Sequence, residues 1–473
     1  MINQFDPKHR PMLENLQGNI LKGHGRGYTR NIFFKVIEVV DKPDIQKELQ
    51  TLFKEWLNQI SGSNTGVLVS AKKQIEQGIL FKKKKVDGGT FACLHLTYTG
   101  YCQLIGKEKV DKKIADSKFN ENFPAFTRGM KEADLGDSKP EKWEAGLSDT
   151  VDGMLILADD DIERLETICL DVQKQLSEFA AITTIEEGSK LENEQGAGIE
   201  HFGYVDGISQ PLFFEDEMDT FLVNHGLKNQ NQLKYNPAAN VDLVLLDDPF
   251  IDAKEALGSF FVFRKLEQNV RDFKKAEKAL GFALGLKGDD GERAGALIVG
   301  RFEDGTPVEV SETEGIIRKD TFNNFDFDVE DASRCPYHAH IRKTNPRSDI
   351  EDAQSHMMAR RGIPFGTRKD DPSDGIIENK PEGGVGLLFM SYQANISNQF
   401  EIIQREWANE PDFIKKDTGI DLIIGNGNFP STSQYPTKWG KAGSSSASFG
   451  QFVTLKGGEY FFTPSLPFLR TIK

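Results

Sequence analysis

Apolar and polar positions change period several times along the chain. Residues 32–39 are rich in β-formers, and Asp44 can then cap a helix that carries Ile45, Leu49, Leu52, Phe53, Trp56 and Ile60 on one face. Residues 67–70 are extended again. Further on, 154–158 reads as a strand, and the acidic run 159–161 opens a helix with Ile162, Leu165, Ile168, Cys169, Val172, Leu176 and Phe179 on one side. After about residue 215 the pattern restarts, with a strand at 259–264, a charged helix near 268–280 and a strong strand at 385–392.

This is an α+β pattern in two halves, 1–215 and 216–473. A faint internal echo supports it: FACLHLTYTG (91–100) and GLLFMSYQAN (386–395) each set an apolar strand before a tyrosine and a helix-starting turn. Residues 106–150 are charged and poor in β-branched side chains, so they look like an insertion in the first half. Lys82–Lys85 should be a solvated loop at a strand end, and Ser444–Ser446 a flexible loop before last strands at 452–455 and 460–462.

Composition narrows the partners. With 473 residues, 34 of them Phe, a large folded core is expected, and a net charge of −15 repels both phosphate backbones and anionic lipid. Neither nucleic acid nor a membrane is an expected partner. The first residues, MINQFDPKHRPMLENLQG, show no apolar leader or twin arginine, and no run of about eighteen apolar residues occurs, so the expected location is cytoplasmic. The 4 cysteines, Cys93, Cys102, Cys169 and Cys335, form no CxxC pair, which signals neither a disulfide framework nor a thiolate metal site.

Three segments could carry chemistry. In HFGYVDGISQP, Gly203 and Gly207 bracket a tight loop that presents Asp206, although a purely structural turn reads the same way. In CPYHAHIRKTNPR, His338 and His340 precede Arg342, Lys343 and Arg347; an extended backbone would put both histidines on one face, leaving haem ligation, a zinc site with Cys335, and a structural histidine all open. In ARRGIPFG, Gly362 and Pro364 stop a helix suggested by 353–359, so Arg360 and Arg361 would sit at its end, facing a cavity or simply capping the helix.

Taken in order, these segments resemble the dye-decolourising peroxidase family, whose signature is a GxxDG loop, a proximal histidine and an arginine before a Gly-Ile-Pro-Phe-Gly turn. The likeness extends to LQGNILKGHGR (16–26), GALIVGRFEDGTPV (295–308) and GLLFMSYQANISNQFEIIQREWAN (386–409). It implies tandem ferredoxin-like halves with antiparallel sheets, of the dimeric α+β barrel type, and one haem b per chain held mainly by the second half. By motif, His340 is the iron ligand, Asp206 and Arg360 are the catalytic pair above the haem, and Arg347 pairs with a propionate. Leu387 and Phe389, at i and i+2 of one strand, match the apolar wall, and Ile208 is placed against the cofactor. Glu401 is taken by analogy as the acceptor for the other imidazole nitrogen of His340, with Glu351 or Asp352 as substitutes.

The activity so implied is reduction of hydrogen peroxide through a ferryl iron and porphyrin radical, with oxidation of dyes, phenols or other small-molecule reductants. Asp206 would move the peroxide proton and Arg360 would stabilise charge on the departing oxygen. Aspartate's reference pKa near 3.9 predicts an acid-shifted optimum. Trp56, Trp143, Trp407 or Trp439, or a surface tyrosine, could relay electrons to bulky donors. Two other functions compete: haem storage, transfer or iron release, and a zinc or iron hydrolase built on His338 and His340.

Overall fold

The computed structural model describes residues 1–63, 66–287, 291–315, 323–372 and 375–473. Eight strands build its main sheet: β1 Tyr28–Val36, β2 Phe91–Leu96, β3 Gly153–Asp159, β4 Ala180–Ser189, β5 Leu257–Gln268, β6 Ile363–Phe365, β7 Gly386–Gln393 and β8 Val453–Thr463. Their lateral order is β6-β7-β5-β8-β2-β3-β1-β4, all antiparallel, and two short segments, Leu246–Asp247 and Ala359–Arg360, add to β5 and β7.

Each half therefore follows one rule, in which the strands lie side by side in the order fourth, first, third, second. That arrangement is the ferredoxin-like one, built here first from β1 to β4 and then from β5 to β8. The halves meet through a single β8–β2 pairing, Phe462 opposite Leu96. The sheet curves until Ile363 on β6 packs against Gly188 on β4, where an added Cβ would stand 2.6 Å from Ile363 Cγ2. No ladder joins those edges among the described residues, so the sheet is not a closed barrel.

Alternation along the strands fills two cores. Ile32, Phe34, Leu94, Leu155 and Leu157 face outward and are covered by helices α1 Pro43–Ser61 and α2 Ile162–Leu176 through Phe53, Trp56, Leu165 and Val172. Phe33, Met154, Ile156, Phe261, Phe263 and Phe461 face inward. At roughly 25 cal/mol per Å² of apolar surface, such side chains contribute about 1.5–3 kcal/mol each, which makes this Phe-rich interior the main stabilising element.

Several expectations need correction. Strand β1 begins at Tyr28, ahead of residue 32, because Thr29 and Asn31 are buried and Asn31 Nδ2 donates to Glu186 O at 2.9 Å. Asp44 stands in the first turn of α1 and is not its cap. Lys82–Lys84 close a helix, Ala71–Lys84, with Lys85 left-handed at φ 55°, so this charge faces the negative end of a helix dipole. Residues 444–449 form a strand paired with Ser431–Pro436.

The helix suggested for 353–359 is a short 3₁₀ turn, Ala353–His356, and Arg360 lies on a strand paired with Ser391. Trp56, Trp143 and Trp407 are buried, which leaves Trp439 the one part-exposed tryptophan. All 4 cysteines are free. Among the described residues, no helix is long and apolar enough to cross a membrane.

Candidate active site

A cavity opens beside the second half's sheet, and the chain reaches it from many elements. Strand β5 supplies Arg264, Leu266 and Gln268, β7 supplies Leu387 and Phe389, and β8 supplies Val453 and Leu455. The loop 203–208, Val299, the turn at His340–Thr344, the segment 357–360 and the helical stretch 397–408 complete the wall. Asp206, Ile208, His340, Arg347, Arg360, Leu387 and Phe389 all line it, so the structure brings together every predicted site residue but Glu401.

His340 begins a one-turn helix, Ala339 being its extended N-cap. Its Nδ1 lies 2.8 Å from Asp421 Oδ2, and the carboxylate's other oxygen accepts the amides of Ile423 at 2.7 Å and Ile424 at 3.1 Å. A fully buried carboxylate beside it accepts, so Nδ1 carries a hydrogen, and in the neutral imidazole Nε2 presents a lone pair. Burial by itself would raise Asp421, but His340 and the two amides carry it below the ordinary carboxylate range. Among the described residues Nε2 has no hydrogen-bond partner.

The expected role of Glu401 beside His340 is therefore wrong. Glu401 accepts Tyr460 Oη at 2.9 Å and pairs with Arg128. The reason is local geometry: residues 397–401 wind as a π-turn, with the Glu401 amide bonded to Ile396 O five residues back, which swings the carboxylate toward β8. Glu351 and Asp352 are exposed and are not the partners of His340 either. Asp421 was missed, although GIDLIIG (419–425) holds a signal: a lone carboxylate inside an apolar run must find a buried partner.

His338 goes elsewhere. It is buried in the core with its ring 4.8 Å from Tyr435, and burial lowers its pKa to about 3. The two histidines do not share a face, and among the described residues no three His, Cys, Asp or Glu side chains converge to hold a metal ion.

Opposite chemistry comes from the GYVDG loop. Gly203 and Gly207 sit at φ 105° and 76°, conformations that a side chain would strain. Just upstream, the Glu200 carboxylate accepts the amides of Phe202 at 2.8 Å and Tyr204 at 2.9 Å and is tied to Gln268 on β5, which anchors the loop carrying Asp206. Burial pushes Glu200 up to about 7. The neighbouring arginines divide cleanly. Arg361 spends its guanidinium on the carbonyls of Asn19, Ile20 and Arg360, each at 2.7 Å, whereas Arg360 points into the cavity with no side-chain partner among the described residues.

At one edge stands Arg347, buried and left-handed at φ 54°. It donates to Asn323 Oδ1 at 2.6 Å and to the carbonyl oxygens of Asn323 and Phe325, and stacks 3.7 Å from the Phe325 ring centroid. No carboxylate pairs with it among the described residues, and burial lowers it to about 10. Arg301 lies close by, also buried and lowered to about 9 by burial and by Arg347. Arg347, a buried cation with no carboxylate beside it among the described residues, suits an anionic ligand at this edge of the cavity. An apolar slot with one free imidazole nitrogen and a cationic edge suits an apolar macrocycle that carries a metal and carboxylates, so these residues fit a haem.

From the first half's insertion, Asp137 also reaches the cavity, accepting from Arg264 Nη2 at 2.5 Å and Asn426 Nδ2 at 2.8 Å. Nothing in its charged, irregular sequence marks it.

Comparison with known proteins agrees with this geometry. Residues 298–419 match the family description Dyp-type peroxidase, C-terminal. The chain is 38% identical over 477 residues to the multifunctional dye peroxidase DyP2 of Amycolatopsis sp., covering 98% of this chain and 96% of that one. Among solved structures, a DyP-type peroxidase of Anabaena sp. superimposes with a TM-score of 0.86 at 36% identity, covering 100% of this chain and 97% of that one. A fungal DyP-type peroxidase from Auricularia auricula-judae superimposes at 0.76 with 25% identity over 97% and 98% of the two chains. With a relative this similar over nearly its whole length, and a cavity of the matching chemistry, the chain belongs to the dye-decolourising peroxidase family of haem enzymes.

Proposed function

We propose that His340 Nε2 ligates the iron of one haem b per chain, that Arg347 pairs with a propionate, and that Asp206 and Arg360 are the catalytic residues. The observation that carries this is an imidazole whose ring is fixed by Asp421, lining one cavity with an aspartate and an arginine, its Nε2 and that guanidinium having no hydrogen-bond partner among the described residues. When bound, the haem supplies the redox centre at which hydrogen peroxide is reduced and from which small-molecule donors are oxidised.

The chain's own groups prepare that chemistry. Asp421 draws on the Nδ1 hydrogen of His340 and so strengthens Nε2 as a donor. Asp206 takes a proton from one peroxide oxygen and returns it to the other, which turns the departing oxygen into water. Arg360 holds a fixed positive charge where negative charge builds as the O–O bond lengthens. Ile208, Leu387 and Phe389 keep water from the reacting oxygens. A haem carrier would have no use for the Asp206–Arg360 pair, which favours the enzymatic reading.

Absorption spectroscopy tests the assignment. His340→Ala should lose the strong Soret band of the haem-loaded protein, while Asp206→Asn and Arg360→Leu should keep the band and slow its response to peroxide. A His340→Ala protein with an unaltered haem spectrum would remove His340 from its role.

A further inference from the structure

Behind the cavity wall lies a polar cluster that the peroxide site does not use. Along β7 the side chains alternate: Leu387 and Phe389 line the cavity, whereas Leu388, Met390 and Tyr392 enter the core on the other face. There Tyr392 Oη lies 2.9 Å from His95 Nε2 and 3.6 Å from Cys93 Sγ, and Asn19 Nδ2 stands 3.3 Å away. All four side chains are fully buried. Phe261 closes the site against water, its ring 4.0 Å from His95 and 4.8 Å from Tyr392.

Hydrogen-bond logic assigns the protons. His95 Nδ1 faces the carbonyl oxygen of Met154 at 3.4 Å, and a carbonyl only accepts, so Nδ1 carries the hydrogen and Nε2 is a lone pair. Asn19 Nδ2 donates to Tyr392 Oη, and for the phenol hydrogen the His95 Nε2 lone pair at 2.9 Å is a nearer and stronger acceptor than Cys93 Sγ at 3.6 Å, so the phenol donates to His95. Burial pushes the Cys93 thiol up to about 12, so it keeps its hydrogen, and at 3.7 Å from His95 Nε2 it is a weaker donor there than the phenol at 2.9 Å. Burial also keeps His95 neutral, with a pKa lowered to about 3. Apolar side chains of similar size would fill this space at less cost, so a phenol aimed at a neutral imidazole needs a reason.

We propose that Tyr392 is an internal one-electron donor of the peroxidase cycle and that His95 accepts its phenolic proton. The inference rests on the haem peroxidase reading. In the step, one electron leaves the Tyr392 phenol for the peroxide-oxidised site as its O–H bond breaks. The proton forms a bond to His95 Nε2, which leaves a neutral tyrosyl radical and an imidazolium. An electron from a small-molecule reductant reverses both changes. Charging His95 in a dry core is costly, so the radical lasts only until a reductant supplies an electron. Tyr392 lies three residues along β7 from the cavity-lining Phe389, about 10 Å of strand, so the phenol sits just behind the cavity wall.

Rapid freeze-quench electron paramagnetic resonance of the haem-loaded protein, mixed with one equivalent of hydrogen peroxide and no reductant, tests this. A tyrosyl signal is expected in the wild type, and Tyr392→Phe should reduce it at least tenfold. His95→Gln, which still accepts a hydrogen bond but takes up no proton, should reduce it as far. In wild-type protein labelled with ¹⁵N-histidine, pulsed measurements should show nitrogen coupled to the radical, a readout that needs no variant to fold. A tyrosyl radical with no such coupling overturns the proposal, as does a signal that survives Tyr392→Phe. Haem absorbance on the same samples separates the readings. A normal response to peroxide with an unchanged radical sinks the proposal alone, and a wild type with no haem response sinks both.

Discussion

Replacing Asp421 by Asn removes one charge and changes almost no volume, yet the geometry leaves the amide no good orientation. The carboxylate serves three donors at once: His340 Nδ1 at 2.8 Å, and the Ile423 and Ile424 amides at 2.7 and 3.1 Å. If the Asn oxygen keeps the two backbone amides, its NH₂ group faces His340 Nδ1. The imidazole must then move its hydrogen to Nε2 and lose the lone pair proposed to bind iron. If the amide flips to serve His340, two buried N–H groups face an NH₂, at about 1–3 kcal/mol for each unsatisfied donor.

Either route should weaken haem binding by roughly 10–100-fold, the usual cost of losing such a support to a metal-binding histidine. Removing the negative charge behind the imidazole should also raise the iron reduction potential. Haem titration of the apoprotein, followed at the Soret band, gives the affinity, and spectroelectrochemistry gives the potential. Glu401→Gln is the control, since Glu401 is bonded to Tyr460 and Arg128 and does not touch His340. Unchanged affinity and potential in Asp421→Asn, or an equal loss in Glu401→Gln, would refute the reasoning.

Other outcomes follow from the same contacts. Arg360→Leu should slow the peroxide step about 10²–10³-fold in stopped-flow mixing, the range for losing one charge-stabilising donor, and an unchanged rate would exclude it from that role. Arg361→Leu should leave that rate within a few-fold but lower unfolding stability, because three backbone carbonyls lose their donor. Arg347→Leu should weaken haem binding while Arg347→Lys retains part of it, and equal affinities in titration would argue against a propionate contact. For the apoprotein, Glu200 is protonated more readily folded, at about 7, than at its ordinary 4.5. Its contribution is thus fully present below pH about 4.5 and lost as pH rises through 7, a fall of about 3 kcal/mol. Urea unfolding across that range should show a shallower decline in Glu200→Gln, and parallel curves would contradict the assignment.

Much of the fold was legible because local chemistry agreed with it. Helix α2 carries its apolar face at the spacing its residues show, and Asp161 caps it by accepting the amides of Glu163 and Arg164. The GYVDG loop announced its own bend through Gly203 and Gly207. Arg360 and Arg361 show the limit, since two adjacent identical side chains differ in purpose only through what surrounds them. Arg361 meets carbonyls from residues 19 and 20, more than three hundred positions away, and Arg360 meets the cavity.

Residue pattern alone fixed the α+β class, the elements with strong periodicity, and most of the side chains that line the cavity, because period, capping and residue type are local properties. Only the tertiary structure decided that Asp421 and not Glu401 supports His340, that Arg128 and Asp137 reach across from the first half, and that Tyr392 meets His95 inside the sheet. Each of these is a pairing over many residues between groups that water would otherwise satisfy. A buried charge or polar atom must find a partner, but which partner is set by how the strands and turns bring distant residues together.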